Sequence, residues 1–123
     1  MEEKAKIKNF YDLVAWQKAH QLTLLIYKIT EHFPRAEQFS LVSQMRRAAI
    51  SLGSNIAEGF GRGGMKDKAQ FYLIAQGSLY ELQSQMFVAH DLGYWSDLTV
   101  FHKLADETGR LLSGIIKSAV ART

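Results

Sequence analysis

Apolar residues recur along the chain at intervals of three and four, which is the spacing of one face of an α-helix. The first such stripe consists of Ala15, Ala19, Leu22, Ile26, Ile29 and Phe33. Asp12 is placed to cap this helix, and Pro34 should end it because the residue before a proline avoids helical geometry. The pattern predicts a first helix over about residues 12–33. Residues 1–9 lack the periodicity, and we expect them to fray.

A second stripe predicts a helix over about residues 40–60, with Ser40 as its cap. Its apolar positions are Leu41, Met45, Ala48, Leu52 and Ile56. Residues 51–55 are poor helix formers, each costing about 0.5–1 kcal/mol relative to alanine. We expect the helix to persist through them and to end near residues 59–61, because the glycine-rich segment 61–64 is typical of a linker.

Two more stripes predict a third helix over about residues 66–92 and a fourth over about residues 96–121. The third contains Tyr72, Ala75, Leu79, Leu82, Met86 and Ala89, and Gly93 should stop it. The fourth, capped by Ser96, contains Leu98, Phe101, Ala105, Thr108, Leu112, Ile115 and Ala119. The sequence therefore predicts one all-α domain over residues 1–123, an antiparallel up-down four-helix bundle.

Composition agrees with a globular protein, since 47% of the 123 residues are hydrophobic and 22% are charged. The absence of cysteine excludes disulfides and thiolate chemistry. No apolar run reaches the roughly 18 residues of a membrane span, and residues 1–4 lack the layout of a secretion signal. We therefore expect a cytoplasmic protein that does not engage a membrane.

Aromatic residues exceed what the core of one small bundle can hold. They include Trp16, Tyr27, Phe71, Tyr72, Tyr80 and Phe87. The first helix also carries a second apolar stripe beside the first, so its apolar surface is wider than an ordinary surface helix buries. We expect a homo-oligomer, in which some of these residues meet another subunit. The alternative is a few scattered exposed aromatics, which are normal in monomers.

The positive charge is concentrated in one part of the chain. Residues 46–68 contain five basic and two acidic residues, and so account for the whole net charge of +3. Clustered lysine and arginine beside glycines suit nucleic-acid phosphates. The candidates for this contact are Arg46, Arg47, Arg62, Lys66 and Lys68. The alternative is that the arginines pair with acids inside an assembly.

The predicted second helix carries a polar stripe beside its apolar one. Its members fall within about 80° on a helical wheel and are Gln44, Arg47, Ser51, Asn55, Glu58 and Arg62. Ser78 and Glu81 of the third helix are the natural partners, with Glu81 accepting from an arginine, and Gly77 would admit another backbone. The stripe is either a network that fixes register or subunit contacts, or a phosphate site in which Glu58 orients the arginines.

No arrangement of residues indicates catalysis. The four histidines lack the spacing of bundle metal sites, and we expect His20 to be a half-buried packing residue. There is no Gly-x-Ser-x-Gly motif, and the glycines at 59–64 lack the Gly-Lys-Ser/Thr of a phosphate loop. The sequence predicts a protein that is not an enzyme and needs no metal or cofactor.

Four segments carry a family resemblance, namely FYDLVAWQKA at 10–19, QMRRAAISLGSNIAEG at 44–59, IAQGSLYEL at 74–82 and LGY at 92–94. Over about residues 10–120 the chain resembles the small bacterial four-helix-bundle proteins encoded in intervening sequences of large-subunit ribosomal RNA genes, which are also labelled ribosomal-protein-like. Relatives of that family include the accessory variability protein of diversity-generating retroelements, a basic pentameric barrel that binds a reverse transcriptase and nucleic acid.

The resemblance implies a four-helix protomer, a homopentamer with a central channel, no known catalysis and a role with nucleic acid. It also implies a protein partner such as a reverse transcriptase. The positions that match the family's motifs are Arg46, Arg47, Asn55, Glu58, Gly59, Arg62, Gly77, Ser78 and Glu81. The leading hypothesis is a non-enzymatic oligomeric bundle that binds RNA or DNA weakly through backbone phosphates. The alternative is a protein-interaction scaffold whose polar stripe only stabilises the oligomer.

Overall fold

The structure, a computed structural model, describes residues 6–123, and its regular structure there is entirely helical. Its four long helices are α1 (Val14–Thr30), α2 (Leu41–Gly61), α3 (Met65–Asp91) and α4 (Thr99–Ala121). Two 3-10 turns, Phe10–Asp12 and Arg35–Glu37, precede α1 and α2. Residues 1–5, which belong to the segment expected to fray, lie outside the described residues.

The four helices form a bundle in which each helix packs against its chain neighbours and α1 closes against α4. Along α1 and α2, the Thr30 hydroxyl accepts from Arg46 and the Thr23 hydroxyl donates to the Ala49 carbonyl, so these helices run in opposite directions. The α1–α4 contact includes an ion pair between Lys18 of α1 and Glu107 of α4, with the charged atoms 3.3 Å apart. The predicted all-α four-helix bundle is thereby confirmed.

The predicted apolar stripes form the core between the helices. Every member of the first and third stripes is buried, and the second and fourth stripes are buried except at a few positions near their ends. In α4 the buried residue is Ile116, whereas Ile115 is only half-buried. A spacing of 3.6 residues per turn explains this difference, because the step from Leu112 to the next inward position is four residues here and not three.

The ends of α1 differ from the prediction at both sides. Asp12 does not cap α1; its carboxylate accepts the backbone N–H groups of Lys8 and Asn9 and so closes the preceding 3-10 turn. α1 ends at Thr30 and not at Phe33, which is nevertheless buried. A buried residue in the connection therefore continued the apolar pattern beyond the helix.

Two predicted caps act differently in the structure. Ser40 occupies the cap position of α2, but its hydroxyl donates to the Glu37 carboxylate and makes no cap hydrogen bond. α4 begins at Thr99, three residues after Ser96, where Asp97 accepts the backbone N–H of Thr99 at 3.0 Å. In both places a nearby carboxylate accepts the hydrogen bond, because a carboxylate is a stronger acceptor than a serine hydroxyl.

The middle of α2 and the end of α3 follow the prediction. α2 is continuous through residues 51–55 and ends at Gly61. α3 ends at Asp91, and Gly93 has a φ of 80°, in the left-handed region that glycine adopts without strain. Its N–H donates to the carbonyl of His90 at 2.9 Å, which satisfies one of the last carbonyls of α3.

Candidate functional site

The contact between α2 and α3 contains a compact polar network. The hydroxyls of Ser51 and Ser78 lie 2.8 Å apart, and the side-chain amide of Asn55 donates to the Ser51 carbonyl at 2.8 Å and to its hydroxyl at 3.0 Å. Because the Ser51 hydroxyl accepts from Asn55, it can donate its own hydrogen to Ser78. The structure thus joins three of the predicted site residues by hydrogen bonds within one protomer.

The other predicted members of the network lie apart from it. Glu58 pairs with Arg62 one turn along α2 at 3.3 Å, and both side chains are exposed, so the pair contributes at most about 1 kcal/mol. Gln44 is exposed. Glu81 was expected to accept from an arginine; it accepts instead from Gln85, on its own helix, at 3.1 Å. The predicted link between Glu81 and the arginines of α2 is wrong.

Arg46 is held by the end of α1. Its Nε donates to the Thr30 hydroxyl at 3.0 Å and its Nη2 to the Tyr27 carbonyl at 3.4 Å. The guanidinium also lies 4.4 Å from the centre of the Tyr27 ring. A cation is favoured near a helix C-terminus, where the helix dipole is negative, and over an aromatic face. Arg46 therefore stabilises the end of α1 and the α1–α2 contact.

Lys68 does the same for α2. Its ammonium donates to the carbonyls of Phe60 at 2.6 Å and Gly59 at 3.3 Å, in the last turn of α2. Burial in this position lowers the pKa of Lys68 below its ordinary value. Lys68 thus ties the first turn of α3 to the end of α2.

The five basic candidates do not converge on one patch. Arg62 lies 4.5 Å from the centre of the Phe71 ring and is paired with Glu58. Arg47 and Lys66 are exposed, and among the described residues neither has a hydrogen-bond or ion-pair partner. With 1.5 Å of rise per residue, Arg47 lies roughly 20 Å along α2 from the α2–α3 connection next to Lys66. Among the described residues, Arg47 and Lys66 are therefore the two candidate cations without a partner, and they are far apart.

Glycine packing differs from the expectation. Within the described part of the chain, an added Cβ at Gly77 would meet nothing within 4 Å, so no backbone approaches it inside the protomer. The close approach occurs at Gly59, where an added Cβ would lie 2.6 Å from a ring carbon of Tyr72. The sequence signal for this contact is the Gly59 of the family motif followed by an aromatic pair, Phe71 and Tyr72, on the next helix.

No metal centre is formed by the residues that the structure describes: no three His, Asp or Glu side chains there lie close enough to share an ion. His20, expected to be half-buried, is exposed and stacks on Trp16 with ring centres 4.8 Å apart. Over residues 6–123, none of the helices has the length and hydropathy needed to cross a membrane.

The outward side of α3 is unexpectedly apolar. We call it the α3 outer face; its exposed residues are Leu73, Ile74, Tyr80, Phe87 and Val88. The surplus of aromatic residues in the sequence indicated that Tyr80 and Phe87 are exposed. The three aliphatic members were not identified from the sequence, because the inward apolar stripe of α3 was sufficient to predict the helix. The signal that could have found them is the repeat of seven from Leu73 to Phe87.

The fold defines a four-helix-bundle protein, and three residues of the family motif, Asn55, Gly59 and Ser78, lie where α2 meets α3. The chain belongs to the 23S rRNA-intervening sequence protein family, which it matches over residues 11–114. A comparison with curated proteins gives no match. The family resemblance seen in the sequence is thereby confirmed, and the relation to the retroelement accessory protein stays a prediction.

Proposed function

We propose that the chain is a non-enzymatic, oligomeric helical scaffold, and that the α3 outer face packs against another copy of the chain. The observation that carries the proposal is that α3 is apolar on two sides. Its inner stripe fills the bundle core, and its outer face exposes five large apolar side chains. A cluster of exposed large apolar side chains on one side of a helix is typical of a protein–protein contact surface.

The spacing of these residues favours a helical partner. Leu73, Tyr80 and Phe87 are seven residues apart, which is the repeat by which helices pack along one another. Each is about half exposed, so covering it would contribute roughly 1 kcal/mol. The family resemblance implies that the partner is a second copy, and a homopentamer is the expected assembly.

Light scattering after size-exclusion chromatography tests the assembly. The wild-type chain should have a mass several times the 13.9 kDa of one chain. Tyr80→Glu places a charge in the middle of the α3 outer face and should yield folded monomers. Val100→Glu is the matched control, because Val100 is as exposed (63%) as Tyr80 (62%) but lies on α4. A monomeric wild type, or an oligomer that Tyr80→Glu leaves intact, would contradict the proposal.

A second candidate function is weak binding of RNA or DNA through backbone phosphates. The observation that favours it is that Arg47 and Lys66 point their charge into solvent, whereas Arg46, Arg62 and Lys68 are engaged within the protomer. Such binding would read no bases. Its affinity would fall as the salt concentration rises, because binding releases counterions that are condensed on the phosphates.

The salt dependence of binding tests this second function. The affinity for a mixed-sequence oligonucleotide should fall with salt, and Arg47→Ala should reduce the slope of log affinity against log salt by about one. Lys103→Ala, which removes an exposed cation from α4, should leave that slope nearly unchanged. Binding that ignores salt, or no binding at low salt, would exclude the function.

A further inference from the structure

A groove with a volume of about 570 Å³ runs along the first half of α2, beside the end of α1. Its walls include Tyr27, Phe39, Ser43, Arg46, Arg47 and Ile50. None of the residues that line it is acidic, and two are arginines. The groove therefore combines aromatic surface with uncompensated positive charge and is complementary to a ligand that is both anionic and flat.

Phe39 is the feature of this groove that the fold does not explain. It lies just before α2 with 90% of its surface exposed, more than any other large apolar side chain in residues 6–123. It contributes nothing to the core, and no aromatic neighbour stacks on it among the described residues. An exposed ring in the wall of a groove can stack on another planar group.

The two arginines have different roles in the groove. Arg46 is fixed against the Tyr27 ring, 4.4 Å from its centre, and so forms a planar, positively charged wall. Arg47, the next residue, is exposed and has no partner in the described chain. A guanidinium in this state is suited to a phosphate, which it can bind through two parallel hydrogen bonds.

We propose that this groove binds an unpaired stretch of RNA or DNA, with a base stacked on Phe39 and a backbone phosphate on Arg47. The proposal rests on the second proposed function, contact with nucleic acid, and adds the strand type and the binding surface. Bases in a duplex are stacked on one another and cannot offer their faces to Phe39, whereas bases in a single strand can. The assigned occupant is a single strand, because its bases can stack on the Phe39 ring while its phosphates bind the Arg47 guanidinium.

Fluorescence anisotropy with three labelled probes of equal length tests the proposal. The probes are oligothymidylate, the same backbone without bases, and a duplex. The wild type should bind oligothymidylate most tightly. Phe39→Ala should weaken that binding roughly 5- to 150-fold, the range expected for one stacked base, and leave the abasic probe unaffected. Phe39→Tyr should retain the preference, and Leu24→Ala, an exposed apolar control on α1, should not alter it.

The outcomes separate this proposal from the function on which it rests. Equal, salt-dependent affinity for the oligothymidylate and abasic probes would overturn base stacking and leave phosphate binding in place. No binding of any probe at low salt would overturn both. Light scattering of Phe39→Ala provides a further check: dissociation of the oligomer would show that the groove holds a neighbouring subunit, and the proposal would be wrong.

Discussion

Replacing Gly59 with alanine measures how tightly α2 packs against α3. The added methyl carbon would lie 2.6 and 2.8 Å from two ring carbons of Tyr72 and 3.1 Å from the Cβ of Phe71. Carbon atoms in favourable contact are about 3.5–4.0 Å apart. The Tyr72 ring is only 5% exposed, so it cannot swing into solvent, and the Phe71 Cβ is fixed to the backbone of α3. The two helices must therefore move apart.

The expected loss follows from two opposing terms. Overpacking a well-packed contact costs about 1–3 kcal/mol. Alanine offsets part of this cost, because it loses less conformational entropy than glycine on folding into a helix. The gain is about 0.5–1 kcal/mol in a helix interior and less in the last turn, where Gly59 lies. The free energy of unfolding should therefore fall by about 1–2 kcal/mol. For a chain of this size, that corresponds to a decrease in Tm of about 3–10 °C.

Urea denaturation followed by circular dichroism provides the assay, at one protein concentration because association is coupled to stability. Gly61→Ala is the matched control: it lies on the same turn of α2, and its added Cβ would meet nothing within 4 Å in the described chain. Gly61→Ala should be neutral or slightly stabilising. If Gly59→Ala is as stable as the wild type, the close packing inferred for this contact is wrong.

Three further predictions concern polar contacts. Ser78→Ala removes the hydroxyl that meets Ser51 and should lower the free energy of unfolding by about 1 kcal/mol in urea titrations. Hydrogen bonds from Ser40 and then Tyr94 lower the pKa of Glu37 below 4.5, so this contact stabilises the fold above that pH and is lost as the pH falls through the folded-state pKa. Thermal melts should accordingly show that acidification lowers the Tm of Glu37→Gln by less than it lowers the Tm of the wild type. The bond to Glu37 raises the pKa of Tyr94 above 10.0, so its contribution is present below pH 10.0 and lost as the pH rises through the folded-state pKa. An ultraviolet titration should show that Tyr94→Phe loses one tyrosine that titrates above pH 10.0.

The period of apolar residues was sufficient to locate the four helices, because burial on a helix face repeats with the helical turn. It was insufficient at the ends. Phe33 is buried in the connection after α1, so its burial extended the pattern by three residues although the backbone there is no longer helical. At Ser40 and Ser96, the residue type suggested a cap, but the choice of acceptor depends on carboxylates brought close by the connection.

The fate of the basic residues could not be read from charge alone. Counting Lys and Arg against Asp and Glu treats only side chains as partners. Arg46 and Lys68 donate chiefly to acceptors outside that count: the Tyr27 and Phe60 backbone carbonyls, and the Thr30 hydroxyl. A helix C-terminus carries a partial negative charge that comes from the backbone and so does not appear in a count of charged residues. Two of the five basic candidates bind to such helix ends within the protomer.

The contacts of α2 and α3 show how the predicted polar residues and the exposed apolar residues are placed in one protomer. Ser51, Asn55 and Ser78 hydrogen-bond to one another across α2 and α3, whereas Gln44 and Arg47 of the α2 stripe are exposed. Scattered exposed apolar residues would be unremarkable, yet Leu73 and Phe87 are aligned at a seven-residue repeat on the opposite side of α3 from its core stripe. The polar network therefore accounts for the register of two helices in one protomer. The α3 outer face is the surface that our proposal assigns to a partner.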